Sequence, residues 1–357
     1  MEKGKKKIFN LLNFFRKDFF FNNKSILFKK IKLEKKFFLF LNRFVDLKKS
    51  FFFFSKYKNS KDVIYIKGEK KKFIIKKEFI LKENRYASNF EKLLKEIPAD
   101  FKYLIKPLEF KNKYIQKYKI NLFCIYPFFK GNYFDGSKKQ VKIIAKAIFK
   151  VFDLFSKIKI KNNYNTLSYL KKKDTNIFNY YLRNKKKLRY YFNKEICLIL
   201  QNDIKVIFQS WKWYRNFDFK KYHGIKTLCH SDIHPHNILL NQNTCKILDY
   251  SKLKYMPAGY CLSYSFFKLG KQIILKNKNK IEAIKTLNIL KFYYMNLFIK
   301  FKVNIIYLQE LALIEIIKRI INVLKILKKD HKNSVKYILP TLIKNFYESK
   351  YFFKIVR

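Results

Sequence analysis

Cysteine, glycine, arginine and acidic residues are all scarce in this chain of 357 residues, and each shortage narrows what it can be. The five cysteines (Cys124, Cys197, Cys229, Cys245 and Cys261) are odd in number, scattered and never spaced as CxxC, which argues against a disulfide framework and fits reduced thiols in a cytosol. The seven glycines are dispersed and no GxGxxG occurs, so a glycine-rich phosphate loop of that kind is excluded. No uncharged apolar stretch reaches the ~18 residues that span a bilayer. Met1 to Phe21 begins with lysines, but its apolar run is broken by Arg16, Lys17 and Asp18 and ends without a small-residue cleavage site, which makes it a poor signal peptide. These absences point to a cytoplasmic protein, with peripheral attachment of the lysine-rich leader to an anionic membrane as the lesser reading.

The acidic shortage leaves 25 Asp and Glu against 81 Lys and Arg, a formal net charge of +56. Arginine accounts for only Arg16, Arg43, Arg85, Arg183, Arg189, Arg215, Arg319 and Arg357 of that excess, while Asn, Ile, Phe and Tyr are inflated alongside lysine. Those are the residues an AT-rich coding sequence favours. Proteins that read nucleic acid draw on arginine, whose planar fork pairs bidentately with phosphate and guanine. Codon bias therefore explains the charge better than nucleic-acid recognition, and nucleic acid is expected only as a nonspecific partner. With 49% hydrophobic residues the chain can bury one large core or two modest ones.

The pattern of those hydrophobic residues divides the chain. Residues 1–50 alternate lysine clusters with Phe/Leu patches, a basic and aromatic extension holding one or two short amphipathic helices. From Phe51 the runs FFFFSKY, DVIYIK and KFIIKK are short and β-prone, separated by KNSK and a turn at Gly68-Glu69, which predicts an antiparallel meander. SNFEKLLKEI (88–97) has helical spacing and is stopped by Pro98. INLFCIYPFFKG (120–131) reads as a buried strand running into a hinge at Pro127 and Gly131. Beyond it, 137–157, 176–217, 263–300 and 307–328 show apolar positions at three-to-four spacing. The expectation is an α+β bilobal protein: an extension over 1–50, a sheet lobe over 51–126 and a mostly helical lobe over 127–357.

One stretch carries the polar chemistry. CHSDIHPHNILLNQNTCKILDYSKL (229–253) holds three of the five histidines, two aspartates and, among its asparagines, Asn237. His230, His234 and His236 do not share a helix or strand face and lack a fourth ligand at zinc-like spacing. Asp232 precedes Asn237 by five residues, and a predicted strand–turn–strand (ILL, NQN, CKIL) then delivers Asp249 to the same end of a hairpin. Carboxylate and amide oxygens suit Mg²⁺ completed by phosphate oxygens and water. Asn237 and Asp249 can hold the metal while Asp232 orients an attacking hydroxyl and accepts its proton, with the same Asp-to-Asn separation as protein-kinase catalytic loops.

HSDIHPHNILL…KILDYSKL resembles the HGDxHxxN and hydrophobic-Asp-[WF] signatures of the aminoglycoside phosphotransferase/choline kinase superfamily, from about residue 58 to about residue 275. The resemblance implies a protein-kinase-like fold, ATP and Mg²⁺ as cofactors, and transfer of the γ-phosphate to a hydroxyl of a small metabolite. It assigns Asp232 as catalytic base, Asn237 and Asp249 as metal ligands, and His230 as a loop-shaping residue. Ser231 stands where the family commonly has glycine, and Cys261 where it usually has an aspartate that supports the catalytic loop, which leaves a catalytically weakened protein with a basic nucleic-acid-binding or structural role as the alternative.

The remaining parts of such a site are sought by chemistry. Lys76 lies on the strand face opposite Ile75 and resembles the family's third-strand lysine, with Lys77 as alternative. Its expected partner is Glu91 or Glu96, although Ser88–Glu91 also spells a capping box. Asn59-Ser60-Lys61 is the turn expected over the phosphates, and the backbone at Tyr126 to Phe128 is expected to hold adenine. The acceptor is not legible, though Tyr133, Phe134, Trp211 and Trp213 could form an aromatic wall for a cationic one.

Overall fold

The structure, a computed structural model, describes residues 28–47, 50–55, 63–69, 71–158, 170, 172–184, 188–217, 221–242, 244–277 and 279–356. The first part is a six-stranded antiparallel sheet. Its strands are β1 (Phe28–Ile31), β2 (Phe51–Ser55), β3 (Val63–Lys67), β4 (Lys72–Ile80), β5 (Ile115–Tyr118) and β6 (Asn121–Pro127), in the order β1-β2-β3-β4-β6-β5. The sheet begins upstream of Phe51, because β1 pairs with β2, and helix α1 (Lys35–Leu41) follows it. Phe37 of α1 packs on Tyr118 and Phe123, and Phe38 on Phe52. Leu41, Val45, Ile64, Ile66, Ile75 and Ile125 bury with them as a separate small core.

The opposite sheet face joins a larger core that runs through the rest of the protein. Helix α2 (Asn84–Glu96) lies against it through Phe90, Leu93 and Leu94, all fully buried. It starts four residues before Ser88, so Ser88 is interior to the helix and the expected capping box does not form there.

After β6 the chain crosses at Pro127–Gly131 to β7 (Asn132–Tyr133). Gly131 is needed at this crossing, since a Cβ there would stand 2.8 Å from the Leu240 carbonyl oxygen. Then come α3 (Lys138–Lys157), α4 (Thr175–Arg183), α5 (Lys194–Leu198) and, through a π turn at Ile199–Asp203, α6 (Ile204–Asn216). Four short strands follow: β8 (Lys226–Cys229), β9 (Ile238–Leu240), β10 (Cys245–Ile247) and β11 (Lys254–Pro257). The last four helices are α7 (Ala258–Lys276), α8 (Lys280–Lys300), α9 (Leu308–Lys329) and α10 (Leu339–Val356).

Helix α7 is buried all round from Ala258 to Ile274, as expected of a helix with apolar residues on every face. Most of its polar side chains are answered: Lys271 meets Glu348 at 2.6 Å, Lys268 meets Asn345 at 3.2 Å, Ser265 meets Tyr294 at 2.8 Å, and Gln272 donates to the Asp135 carbonyl at 2.9 Å, while the Ser263 hydroxyl is buried without a hydrogen-bond partner. No helix among the described residues is long and apolar enough to cross a membrane.

Candidate active site

Two small ladders aim the polar segments at one place. In the β9–β10 hairpin Ile238 faces Ile247, so Asn237 sits beside Leu248 and its carbonyl accepts the Leu248 amide at 2.9 Å. In the other ladder β8 pairs with β11, Cys229 opposite Lys254. The loop from His230 to Asn237 and the loop from Leu248 to Leu253 leave these ladders side by side, which brings Asp232, Asn237 and Asp249 to the same end of the hairpin.

His230 ties the two loops together. Its Nε2 lies 2.6 Å from the Leu248 carbonyl oxygen and its Nδ1 lies 3.2 Å from the Asp232 amide. A carbonyl only accepts and an amide N–H only donates, so the ring is neutral with its proton on Nε2. Burial lowers its pKa further from the ordinary histidine value, which keeps that tautomer in place. Asn237 donates its side-chain amide to the Asp232 backbone carbonyl at 2.8 Å, and this orients its own carbonyl oxygen for a different ligand.

Across the cleft, β4 contributes Lys76 and Glu78. Residues two apart on a strand share a face, and a bulge between Lys77 and Phe79 turns Glu78 and Phe79 to the same side. Glu78 is 6% exposed and accepts from the Tyr126 hydroxyl at 2.7 Å and from the Ser251 hydroxyl at 2.7 Å. With one oxygen of that fixed carboxylate 3.0 Å away, Lys76 extends its ammonium to Asp249. Burial would lower the Lys76 pKa, but the charges of Glu78 and Asp249 outweigh it and raise the group above its ordinary value. Asp249 takes the left-handed conformation (φ 59°, ψ 37°), which aspartate tolerates better than most residues, and its side chain is 51% exposed.

Arg319, from the middle of α9, completes the arrangement from below. Its Nη1 donates to Asp232 Oδ1 at 2.7 Å, its Nη2 donates to the Ser231 carbonyl, and its Nε donates to Glu315 Oε1 at 3.0 Å. The guanidinium also stacks 4.1 Å from the centre of the Tyr264 ring. His234 Nε2 stands 3.7 Å from the other Asp232 oxygen. Burial on its own would raise the Asp232 carboxyl, but Arg319 and then His234 reverse this and hold it well below the usual carboxylate range.

Several expected residues take other roles. Glu91 accepts the backbone amides of Tyr114 and Ile115 at 2.8 and 3.0 Å, fixing the start of β5 to α2, so the expected Lys76–Glu91 pair is replaced by Lys76–Glu78. The Phe128 amide donates to the Lys72 carbonyl at 3.0 Å and Tyr126 is paired with Ile74, so both are committed to the sheet and the expected adenine contacts at those positions give way. Trp211 and Phe134 are each 1% exposed inside the core and Trp213 stacks on Phe217, so of the four expected aromatics only Tyr133, exposed and edge-on to His236, stands by the loop. Asn59 and Ser60 lie outside the described residues.

Neither Glu78 nor Arg319 was singled out by the sequence reading. Glu78 was findable from its two-residue spacing to Lys76. Arg319 carried only a faint signal, a rare arginine within the apolar run LIEIIKRII.

No protein-family model matches the sequence, and no curated protein shows significant similarity to it. Solved structures do match. A spectinomycin phosphotransferase in complex with ADP and spectinomycin aligns with a TM-score of 0.62 at 15% identity, covering 91% of this chain and 98% of that one. An amicoumacin kinase in complex with AMP-PNP, Ca²⁺ and Ami aligns at 0.56 and 11% identity, over 89% and 94% of the two chains. Choline kinase LicA from Streptococcus pneumoniae aligns at 0.55 and 10% identity, over 88% and 98%. The chain has the aminoglycoside phosphotransferase/choline kinase fold.

Within this phosphotransferase fold, the cysteine expected to weaken the catalytic loop is accommodated. Cys261 is buried, and its thiol lies 3.3 Å from the Ala258 carbonyl of its own helix. The loop is held instead by Arg319 at the Ser231 carbonyl and by His230 at Leu248.

Among the described residues no group of three His, Cys, Asp or Glu side chains is placed to hold a metal ion. The oxygen donors present are the Asp249 carboxylate and the Asn237 amide. Two hard donors at the end of a hairpin suit Mg²⁺, which retains water and takes phosphate oxygens to complete its octahedron. The Asp249 carboxylate already attracts a cation, the Lys76 ammonium.

Proposed function

We propose that the protein is an ATP- and Mg²⁺-dependent phosphotransferase acting on a hydroxyl group of a small molecule. The observation that carries this is the meeting, from three separate elements, of Lys76 on β4, Asp249 after β10 and Asp232 with Asn237 after β8. The nucleotide complexes of the spectinomycin and amicoumacin enzymes support the same reading.

Each residue has a task that follows from its contacts. Asp232 accepts a hydrogen bond from the acceptor hydroxyl and takes its proton as the new O–P bond forms and the bond to the leaving ADP breaks. A carboxyl held at low pKa is a weak base, so its main contribution is to orient the nucleophile, with proton transfer late. Lys76 is poised to exchange the Asp249 carboxylate for phosphate oxygens, while Glu78 keeps its ammonium directed into the cleft. Asn237 and Asp249 would hold Mg²⁺, which supplies charge neutralisation on the β- and γ-phosphates when bound. His230 keeps the two loops in register throughout.

The test is thermal shift with ATP, with and without Mg²⁺, on the native chain and on Asp249→Ala. A ligand at a hundred times its Kd adds about 2.7 kcal/mol of stability. Stabilisation that needs Mg²⁺ and disappears in Asp249→Ala supports the assignment. A native protein indifferent to ATP and Mg²⁺ together would remove it.

A further inference from the structure

Resting on the phosphotransferase reading, we propose that Arg319 is a positioning residue: by holding one oxygen of Asp232 it fixes which side of that carboxylate meets the acceptor hydroxyl. The two oxygens have different surroundings. Oδ1 accepts from Arg319 Nη1 at 2.7 Å, whereas Oδ2 faces His234 Nε2 at 3.7 Å, beyond the length of a hydrogen bond. The Asp232 side chain is 46% exposed, so with Oδ1 committed to the guanidinium, Oδ2 is the oxygen that an incoming hydroxyl meets.

The guanidinium is itself held in place. Glu315, one turn earlier on α9 and with 2% of its side chain exposed, accepts from Nε at 3.0 Å, and the Tyr264 ring of α7 lies 4.1 Å from the guanidinium carbon. Three donors of one planar group therefore go to three acceptors, and the fork cannot turn without losing all of them. Nη2 at the Ser231 carbonyl fixes the backbone ahead of Asp232 while Nη1 fixes the carboxylate, so a single side chain sets both the place and the rotation of that group. Lysine has no planar fork and could not serve the three acceptors together. Position 319 carries one of only eight arginines in a chain rich in lysine. The hydrogen bonds of Arg319 go to Ser231, Asp232 and Glu315 and to none of Lys76, Asn237 or Asp249, so its effect falls on the nucleophile and not on the nucleotide.

The experiment follows ADP release from ATP and Mg²⁺ by the full chain, with water as the probe nucleophile: its oxygen bonds to phosphorus as the bond to ADP breaks, and its proton passes to Asp232. The native chain, Arg319→Lys and Arg319→Ala are compared, each beside its thermal shift with ATP and Mg²⁺. Arg319→Lys keeps a cation beside the buried Glu315 and is expected to lower kcat about a hundredfold, the cost of a small misplacement, with the KM for ATP and the thermal shift unchanged. Methylguanidine added to Arg319→Ala should recover part of the lost rate and methylammonium should not, because only the fork donates to Asp232 and Ser231 together. If Arg319→Ala does not fold, the split between kcat and KM in Arg319→Lys decides alone. Turnover by Arg319→Lys at the native rate, or a loss that only tracks the folded fraction, overturns the role. So does a native chain that responds to ATP and Mg²⁺ yet releases no ADP, since a carboxylate held this way orients water as it does an alcohol. A native chain indifferent to ATP and Mg²⁺ removes the phosphotransferase reading instead.

Discussion

Two lysine–carboxylate pairs set the cleft against the helical core. Lys76 meets Asp249 with half of the aspartate side chain still open to solvent, whereas Lys271 and Glu348 lie 2.6 Å apart with 2% and 1% of their side chains exposed. The pairing chemistry is the same, but what can replace it differs. Water, a divalent ion or a phosphate can reach Asp249, so the cleft pair can be exchanged. Glu348 is closed between α7 and α10, with only Lys344 of its own helix approaching its other oxygen at 3.6 Å, so the core pair is fixed by the cost of separating its charges in a medium of low polarity. The cleft pair is held by contacts that leave one side open, and the core pair by contacts that close around it.

The strongest way to sharpen this contrast is to neutralise a charge on each side of it. Asp232→Asn removes the group proposed to orient the hydroxyl and take its proton, and on that proposal kcat is expected to fall about 10²–10⁴-fold. Because the side chain is partly open, unfolding by urea should change much less than activity does. A variant that loses stability in step with activity would show that Asp232 is structural.

Glu348→Ala does the reverse. It removes the carboxylate that Lys271 meets in the core and is expected to cost about 3–5 kcal/mol of stability. The fraction that stays folded should respond to ATP and Mg²⁺ like the native chain. Replacing both partners, Lys271→Met with Glu348→Leu, should recover most of the loss, because burying two apolar side chains avoids desolvating two charges. If the double variant is as unstable as the single one, packing rather than charge holds α7 to α10.

Lys318 lies between these extremes and makes the contrast pH-dependent. Burial, opposed by Glu315 but reinforced by Lys254 and Arg319, lowers its pKa from 10.5 to about 8. Between about 8 and 10.5 the unfolded chain therefore binds more protons at this site than the folded one, and stability rises with pH. Below that window the group is charged in both states and the penalty is complete. Comparing native protein with Lys318→Met by urea denaturation should show a gap of up to about 3 kcal/mol at pH 7 that narrows as pH passes through the window. A gap independent of pH would mean that Lys318 is not strained by its surroundings.

What could be read from the sequence followed sequence distance. Asp232, Asn237 and Asp249 lie within one hairpin, so local strand and turn signals were enough to bring them together. Lys76 followed from strand alternation. Arg319 is 87 residues from Asp232 and reaches it only because α9 packs beneath the Asp232 loop, a tertiary contact with no local signature. Trp211 looked like a ligand-facing aromatic because a helix pattern gives the period of burial but not its direction. It faces Phe178 and Phe208. Helix α10, which supplies Glu348, was covered only by the general expectation of a mostly helical lobe over 127–357, although its packing on α7 places a buried Lys271–Glu348 pair.

Glu91 shows how a small error in one boundary moves a functional assignment. A helix starting at Ser88 would place Glu91 at its first turn, free to cap it or to reach Lys76. The helix starts at Asn84, and Glu91 falls in its interior, turned toward the Tyr114 and Ile115 amides. Glu91→Gln keeps an acceptor for only one of those amides and should cost about 1 kcal/mol of stability. It should leave the ATP and Mg²⁺ response unchanged, because Lys76 is oriented by Glu78. Glu78→Gln is the paired measurement: it keeps the size of the side chain, removes the charge beside Lys76, and should weaken ATP binding. A Glu91 variant that weakened nucleotide binding as much as the Glu78 variant would return Glu91 to the site and break the division between groups that hold the fold and groups that face the ligand.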